Sequence, residues 1–129
     1  MAPEVVGVRR RATFRALARA DGRATRGAVT VLYSAARADT GFCEVAYAVG
    51  RRHGPAVLRN RLRRRLREAV RVAAPELAPG AYLVRPEPSA REAPFRELCE
   101  VVRAAALAAG RSGSGPARSA ATGAGSGPA

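Results

Sequence analysis

The segment from residue 56 to residue 71, AVLRNRLRRRLREAVR, constrains the fold of this chain more than any other. It carries seven arginines between Arg59 and Arg71, and Glu68 is the only acid among them. Apolar residues recur in and just after it every three or four positions, which is the period of one helix face. These apolar residues are Leu58, Leu62, Leu66, Ala69, Val70 and Ala73. We therefore predict a helix between Pro55 and Pro75 that buries one stripe and presents guanidinium groups on the rest of its surface.

The positive charge of the chain is large and unevenly distributed. The net charge is +13, and all 23 basic residues are arginines, whose planar guanidinium pairs with phosphate and stacks on bases. Residues 51–71 hold nine arginines and one glutamate, and residues 1–26 hold seven arginines and two acids, whereas residues 85–110 are neutral. This asymmetry predicts a polyanion-binding surface. The alternative, a solvated charged face, is disfavoured because the helix lacks alternating acids.

Composition and length indicate one domain outside the secretory pathway. A chain of 129 residues with 47% hydrophobic residues can bury a modest core. The two cysteines, Cys43 and Cys99, suggest reduced packing residues, and the first residues do not resemble a signal peptide. No apolar stretch approaches the roughly 20 residues that span a bilayer. We expect a cytoplasmic protein with no membrane partner.

The remaining pattern predicts three strands and two further helices. The predicted helices lie at residues 9–19, between Pro55 and Pro75, and at 89–109, and the predicted strands lie at 28–34, 42–49 and 81–85. This αββαβα order predicts an α+β domain, in which helices pack on one small sheet. Phe95 and Tyr47 are expected in the core. Small, flexible residues fill positions 111–129, so we predict a domain over residues 1–110 and a disordered Gly/Ser/Ala/Pro tail over 111–129.

Few residues suggest catalysis by the protein itself. The one histidine, His53, has no histidine partner, and the acids are too dispersed to hold a metal ion. We therefore predict no catalytic residue and no metal site, and we expect His53 to shape the entry to the helix or to touch phosphate. Phe14 and Tyr33 are candidates for stacking on an unpaired base, and burial in the core is the equal alternative.

The run at residues 59–68, RNRLRRRLRE, resembles the Arg-Asn-Arg core of the protein subunit of bacterial ribonuclease P. That family precedes this core with a strand, a basic pair and a glycine, which are matched here by residues 47–49, 51–52 and Gly54. The similarity extends over roughly residues 6 to 109, with weaker matches at residues 9–14, 31–33 and 84–86.

The resemblance implies a fold and a ribonucleoprotein function. The fold is an α+β sandwich with a left-handed βαβ crossover of the ribosomal protein S5 domain 2-like type, contrary to the usual right-handed preference. The protein would assist a catalytic RNA that removes the 5′ leader of precursor tRNA. Its expected partners are the ribonuclease P RNA and precursor tRNA, without DNA. Mg²⁺ is expected for the ribonucleoprotein, and no cofactor is expected on the protein.

The resemblance also assigns roles by position. The residues expected to contact the catalytic RNA are Arg51, Arg52, Arg59, Asn60, Arg61, Arg63, Arg64, Arg65 and Arg67. The residues expected to line a leader-binding cleft are Phe14, Val31, Tyr33 and Ala48. Three positions depart from the family by lacking a ring or a hydroxyl, namely Ala18, Ala48 and Gly50, so leader affinity is expected to be weaker. The alternative function is a general RNA-binding or ribosomal protein without a processing role.

Overall fold

The computed structural model describes residues 4–36 and 38–114, which form five strands and three α-helices. The strands are β1 (Val5–Gly7), β2 (Gly22–Arg26), β3 (Val29–Ser34), β4 (Cys43–Tyr47) and β5 (Gly80–Pro86). The helices are α1 (Arg11–Ala18), α2 (Ala56–Ala73) and α3 (Phe95–Ser114). The predicted α+β class is confirmed, and the arginine-rich segment is helical over the predicted range.

The strands form one mixed sheet in the order β1-β4-β5-β3-β2. β4 runs parallel to both β1 and β5, whereas β3 is antiparallel to β5 and β2. Helix α2 joins the parallel neighbours β4 and β5 and so completes the expected βαβ unit. The predicted order αββαβα lacked β1 and β2. Both are edge strands, β1 has three residues, and β2 has no apolar alternation, so neither carries a strand pattern of its own.

The main core lies between one face of the sheet and helices α2 and α3. Alternate strand residues point into it, together with the apolar stripes of the two helices. Its large members include Val29, Val31, Tyr33, Val45, Tyr82, Val84, Leu62, Leu66, Leu98 and Val102. Helix α1 contacts β3 and β5 from the opposite face, where Thr13, Leu17 and Leu32 are buried outside the main cluster. The molecule therefore has three layers, with α1 on one side of the sheet and α2 and α3 on the other.

Two tyrosine side chains hold the segment between α2 and β5 in place. The Tyr33 hydroxyl donates to the Pro79 carbonyl and the Tyr82 hydroxyl donates to the Ala78 carbonyl, each at 2.6 Å. The two rings meet edge to face, with their centroids 5.0 Å apart. Gly80 adopts φ +142°, and a Cβ there would lie 2.5 Å from a Tyr33 ring carbon. The turn into β5 therefore requires glycine both for its backbone and for its packing.

The last helix begins later and continues further than predicted. Residues Pro88–Glu92 form a 3₁₀ turn, and α3 begins only at Phe95 because Pro94 occupies the position before it. Phe95 is 43% exposed, so its expected place in the core is wrong. The helix runs through Gly110 to Ser114, which puts the predicted domain boundary inside α3. The rest of the predicted tail, residues 115–129, lies outside the described residues.

We expect Gly80→Ala to destabilise the protein more than Gly41→Ala does. Both glycines have positive φ, but a Cβ at Gly41 meets nothing within 4 Å. Strain of this kind costs about 1–3 kcal/mol, and only Gly80→Ala adds a collision with the Tyr33 ring. Urea unfolding of the two variants measures the difference. Equal losses of unfolding free energy in the two variants would show that the Tyr33 ring moves aside without an energetic cost.

Candidate nucleic-acid interface

The buried stripe of α2 determines which arginines face outward. Five residues of the helix are buried against the sheet and α3, namely Leu62, Leu66, Ala69, Val70 and Ala73. The helix begins directly after Pro55, and Pro75 lies in the 3₁₀ turn that follows its end. With 3.6 residues per turn, the positions between the buried residues fall on the outer surface.

Arg61, Arg64 and Arg67 form the outer arginine face of α2. All three side chains are exposed, and within residues 4–36 and 38–114 none makes a hydrogen bond or an ion pair. Asn60 is exposed beside them, and its side-chain carbonyl accepts a bond of 3.0 Å from Arg63. Because Asn60 is exposed, its amide NH₂ can still act as a donor to a partner from outside the chain. This face offers three unneutralised charges and one directed hydrogen-bond donor.

Two other predicted RNA contacts are bound to the protein's own backbone. Arg63 donates to the Val49 carbonyl at 2.9 Å, which ties α2 to the residues just after β4. Arg65 points toward the segment before α3, where it donates to the Arg91 carbonyl at 3.0 Å and also to the Ala93 carbonyl. Arg65 therefore holds the segment before α3 in place, and its contact with RNA stays a prediction. The role of Arg63 in the free chain is to anchor α2 to the segment just after β4.

Arg59 and the basic pair before α2 differ in exposure. Arg59 is half-buried, and its Nε has no hydrogen-bond partner among the described residues. Arg51 and Arg52 are exposed, and Arg52 lies 3.4 Å from the Glu87 carboxylate. An exposed ion pair of this length contributes little stability, so Arg52 can exchange Glu87 for phosphate at small cost.

His53 has a structural role at the entry to α2. It is 1% exposed; the Gly50 amide donates to Nδ1 at 3.0 Å, and Nε2 lies 2.7 Å from the Pro86 carbonyl. Nδ1 is thus the acceptor, and the proton sits on Nε2. The expectation that His53 shapes the helix entry agrees with this geometry, whereas a contact with phosphate is excluded by its burial.

Two of the four residues that were predicted to line the leader cleft are buried in the core. Val31 and Tyr33 are 0% and 1% exposed, because the alternation of β3 points both into the core beneath α2 and α3. They are therefore core residues, and their assignment to the cleft is wrong. Phe14 is 48% exposed on α1, and Ala48 is exposed just after β4, so both remain accessible.

Phe14 opens instead onto a groove along the free edge of the sheet, which we name the β1-edge groove. It has a volume of about 410 Å³, and its lining includes Val5 to Val8, Val45 to Tyr47, Phe14, Arg67 and Arg71. Burial raises the pKa of Tyr47 to about 12, and the nearby charges of Arg67 and Arg71 oppose that rise. Sequence reasoning assigned no function to Tyr47 or Arg71, because β1, which completes the groove, had no pattern of its own.

The described residues show no other arrangement suited to chemistry. Among residues 4–36 and 38–114, no three histidine, cysteine or acidic side chains come together as metal ligands. Burial raises the pKa of Cys43 to about 11, so this thiol stays protonated at neutral pH. No helix in the described part of the chain has the length and apolarity needed to cross a membrane.

The fold and the outer arginine face define a small basic α+β protein with an arginine-rich helix at its surface. The family model for Ribonuclease P matches residues 3–109, and the chain belongs to this family. Its relatives include two proteins named Ribonuclease P protein component. The Chloroflexus aggregans protein is 41% identical over 74% of this chain and 72% of its own length. The Symbiobacterium thermophilum protein is 48% identical, but over only 45% of this chain and about half (51%) of its own length.

Solved structures show the same fold. The Staphylococcus aureus RNase P protein superposes with a TM-score of 0.62 over 79% of this chain and 96% of its own, at 17% identity. A mutant of that protein with defective mRNA degradation activity gives a TM-score of 0.64 at 18% identity, over 77% of this chain and 83% of its own. The resemblance read from the arginine run is thus confirmed, and it supports a role in ribonuclease P and tRNA processing.

We expect Arg65→Met and Arg64→Met to affect stability very differently. A hydrogen bond to a charged group contributes about 1.5–3 kcal/mol, and Arg65→Met removes the guanidinium that binds the Arg91 and Ala93 carbonyls. Arg64 makes no such bond, so Arg64→Met should change the free energy of unfolding by less than about 0.5 kcal/mol. Denaturant unfolding of both variants measures this, and similar losses would disprove the anchoring role of Arg65.

Proposed function

We propose that this chain is the protein subunit of a ribonuclease P ribonucleoprotein and assists its catalytic RNA in endonucleolytic removal of the 5′ leader from precursor tRNA. The observation that carries the proposal is the outer arginine face of α2 in a chain that belongs to the ribonuclease P family. Arg61, Arg64 and Arg67 present charge without protein partners, and phosphate is the anion that RNA offers in a regular row.

The outer arginine face lies on an ordered helix, which suits it to binding a folded RNA. Helix α2 has 18 residues and is therefore about 27 Å long, with its inner stripe packed on the sheet. Arg61 and Arg67 are separated by about 9 Å along the axis. Because the helix is already ordered, the conformational entropy that α2 loses on binding is limited to the rotamer freedom of its arginines, and Asn60 can add one directed hydrogen bond.

In this proposal the RNA carries out the hydrolysis, with Mg²⁺ bound to the ribonucleoprotein. The chain contributes electrostatics by neutralising phosphates that would otherwise require additional cations. Arg51 and Arg52 extend the positive surface beyond the N-terminus of α2, while Phe14 and Ala48 are the accessible residues proposed for the leader. We place this activity in the cytoplasm, where precursor tRNA is made.

Cleavage of precursor tRNA at low Mg²⁺ tests the proposal. The reaction is run with a bacterial ribonuclease P RNA, with this protein, and with both, and the product end is mapped. We expect cleavage at the mature 5′ end only in the mixture. The variant R61Q/R64Q/R67Q should lose the stimulation of cleavage. The variant R23Q/R26Q, which removes charge from the edge strand β2, should keep most of it. RNA binding without stimulated cleavage would refute the processing role and support a general RNA-binding protein.

We expect Arg61→Gln and Arg64→Gln each to flatten the salt dependence of binding to ribonuclease P RNA. Loss of one phosphate contact should lower the slope of log K against log salt by about 0.7–0.9. For the part of the Arg65→Met protein that remains folded, the slope of log K against log salt should not change, because Arg65 binds backbone carbonyls. Affinities measured at four or more salt concentrations supply the slopes, and an unchanged slope in both Gln variants would refute the assignment of the outer arginine face.

A further inference from the structure

The first six residues of α2 have few of the contacts that usually keep the start of a helix ordered. The first fully buried residue of the helix is Leu62, so residues 56–61 lie outside the core. Pro55 at the N-cap has no side chain that can bind the free amides, and the first turn has no acid to interact with the positive end of the helix dipole. Residues 59–61 are nevertheless the Arg-Asn-Arg core of the proposed RNA-binding surface. The order of this segment therefore depends on contacts from outside the helix.

Arg91 supplies such a contact from the segment between β5 and α3. Its Nη1 donates to the carbonyl of His53, just before the helix, at 3.0 Å. The Arg91 carbonyl in turn accepts a bond of 3.0 Å from Arg65, which lies about 14 Å along the axis of α2 from Ala56. Residue 91 is thus joined to the chain on both sides of residues 56–61. We name these two hydrogen bonds the Arg65–Arg91 bridge.

Gly54 makes room for the guanidinium of Arg91. A Cβ built on Gly54 would lie 2.5 Å from Nη1 of Arg91 and 3.4 Å from a side-chain carbon of Leu58. Gly54 also has φ +108°, a conformation that residues with a side chain rarely adopt. The close approach leaves Arg91 half-buried against the backbone at the helix entry. Arg91 thereby differs from the arginines of the outer arginine face, which are exposed and make no hydrogen bond among the described residues.

We infer that Arg91 is a positioning residue for the RNA-binding surface. By holding the His53 carbonyl, it keeps the entry to α2 and the start of the helix in one arrangement before RNA arrives. Residues 51–52 and 59–61 then need no ordering when they bind, and this raises their affinity. The inference rests on the proposed function, because it requires that these residues bind ribonuclease P RNA. Arg91 acts through His53 and does not itself bind phosphate.

Removal of this contact should leave the fold intact. The His53 ring keeps its own two hydrogen bonds to the backbone, and the buried stripe of α2 from Leu62 onward is not touched. Arg91→Met keeps an unbranched apolar stem beside Leu58 but removes the donor and the charge. The variant therefore tests the bridge without opening the core.

Arg103→Met is the matched control. The Arg103 guanidinium donates two hydrogen bonds, of 2.7 and 2.6 Å, to Glu76 just beyond the other end of α2. Each substitution therefore removes one positive charge and the hydrogen bonds of one guanidinium, and the two differ in which end of α2 they release. The unfolding midpoints of both full-length variants are measured first, so that each affinity can be corrected to refer to the folded protein.

The affinity for ribonuclease P RNA is then measured at several salt concentrations. We expect folded Arg91→Met to bind about five- to tenfold more weakly than folded Arg103→Met, because a few residues must now be ordered on binding. The slope of log K against log salt should be the same in both. If the two folded variants bind equally tightly, the inference is wrong. A slope lower by about 0.7–0.9 in Arg91→Met would identify Arg91 as a phosphate ligand and would also overturn its positioning role.

NMR order parameters of the free chain test the positioning without RNA. We expect the backbone amides within residues 51–61 to have lower order parameters in Arg91→Met than in the wild-type chain, and to be unchanged in Arg103→Met. Unchanged values in Arg91→Met would overturn the inference even if its affinity falls. Failure of the wild-type chain to bind ribonuclease P RNA would instead refute the proposed function, and the order parameters would still show whether Arg91 fixes the helix entry.

Discussion

The packing of α2 on the sheet is the interaction on which the rest of the binding surface depends. Leu62 and Leu66 are completely buried, and burying a leucine contributes about 1.5–3 kcal/mol. An exposed ion pair contributes at most about 1 kcal/mol, so charge repulsion among the arginines cannot rotate the helix out of this register. The apolar stripe thereby selects Arg61 and Arg64 for the outside and turns Arg65 toward the backbone before α3. The outer arginine face is a consequence of hydrophobic packing.

Both ends of α2 are held to the sheet by buried polar contacts. Because α2 connects the parallel neighbours β4 and β5, the chain leaves the sheet where β4 ends and must return along its face to the opposite end, where β5 begins. At the start, His53 joins the Gly50 amide to the Pro86 carbonyl at the end of β5. At the return, the hydroxyls of Tyr33 and Tyr82 bind the carbonyls that precede β5. The tyrosine that the family resemblance assigned to the leader thus maintains the crossover that presents the arginines.

The spacing of apolar residues along the sequence predicted the helix α2 and the strand β3, because both depend on local periodicity. The 3.6-residue period located α2 to within a residue or two, and the strand pattern located β3, which carries Val31 and Tyr33. Which face the helices would cover depends on contacts distant in sequence, so the cleft assignment of these two residues was wrong. The edge strand β1 was missed because its pairing with β4 supplies the order that its three residues do not encode. The β1-edge groove was missed with it, since β1 lines one side.

The separation of the arginines into two roles explains why composition overstates the capacity of this helix to bind phosphate. Of the seven arginines between Arg59 and Arg71, two donate to backbone carbonyls, one is shared with Glu68, and one is half-buried. The other three make no hydrogen bond or ion pair within the described residues, and these form the outer arginine face. The planar fork lets Arg65 reach two carbonyls at once, which a single lysine ammonium on a flexible stem matches poorly. A chain without lysine can therefore use the same residue type to bind its own backbone and to present charge at the surface, and the rotation of the helix separates the two uses.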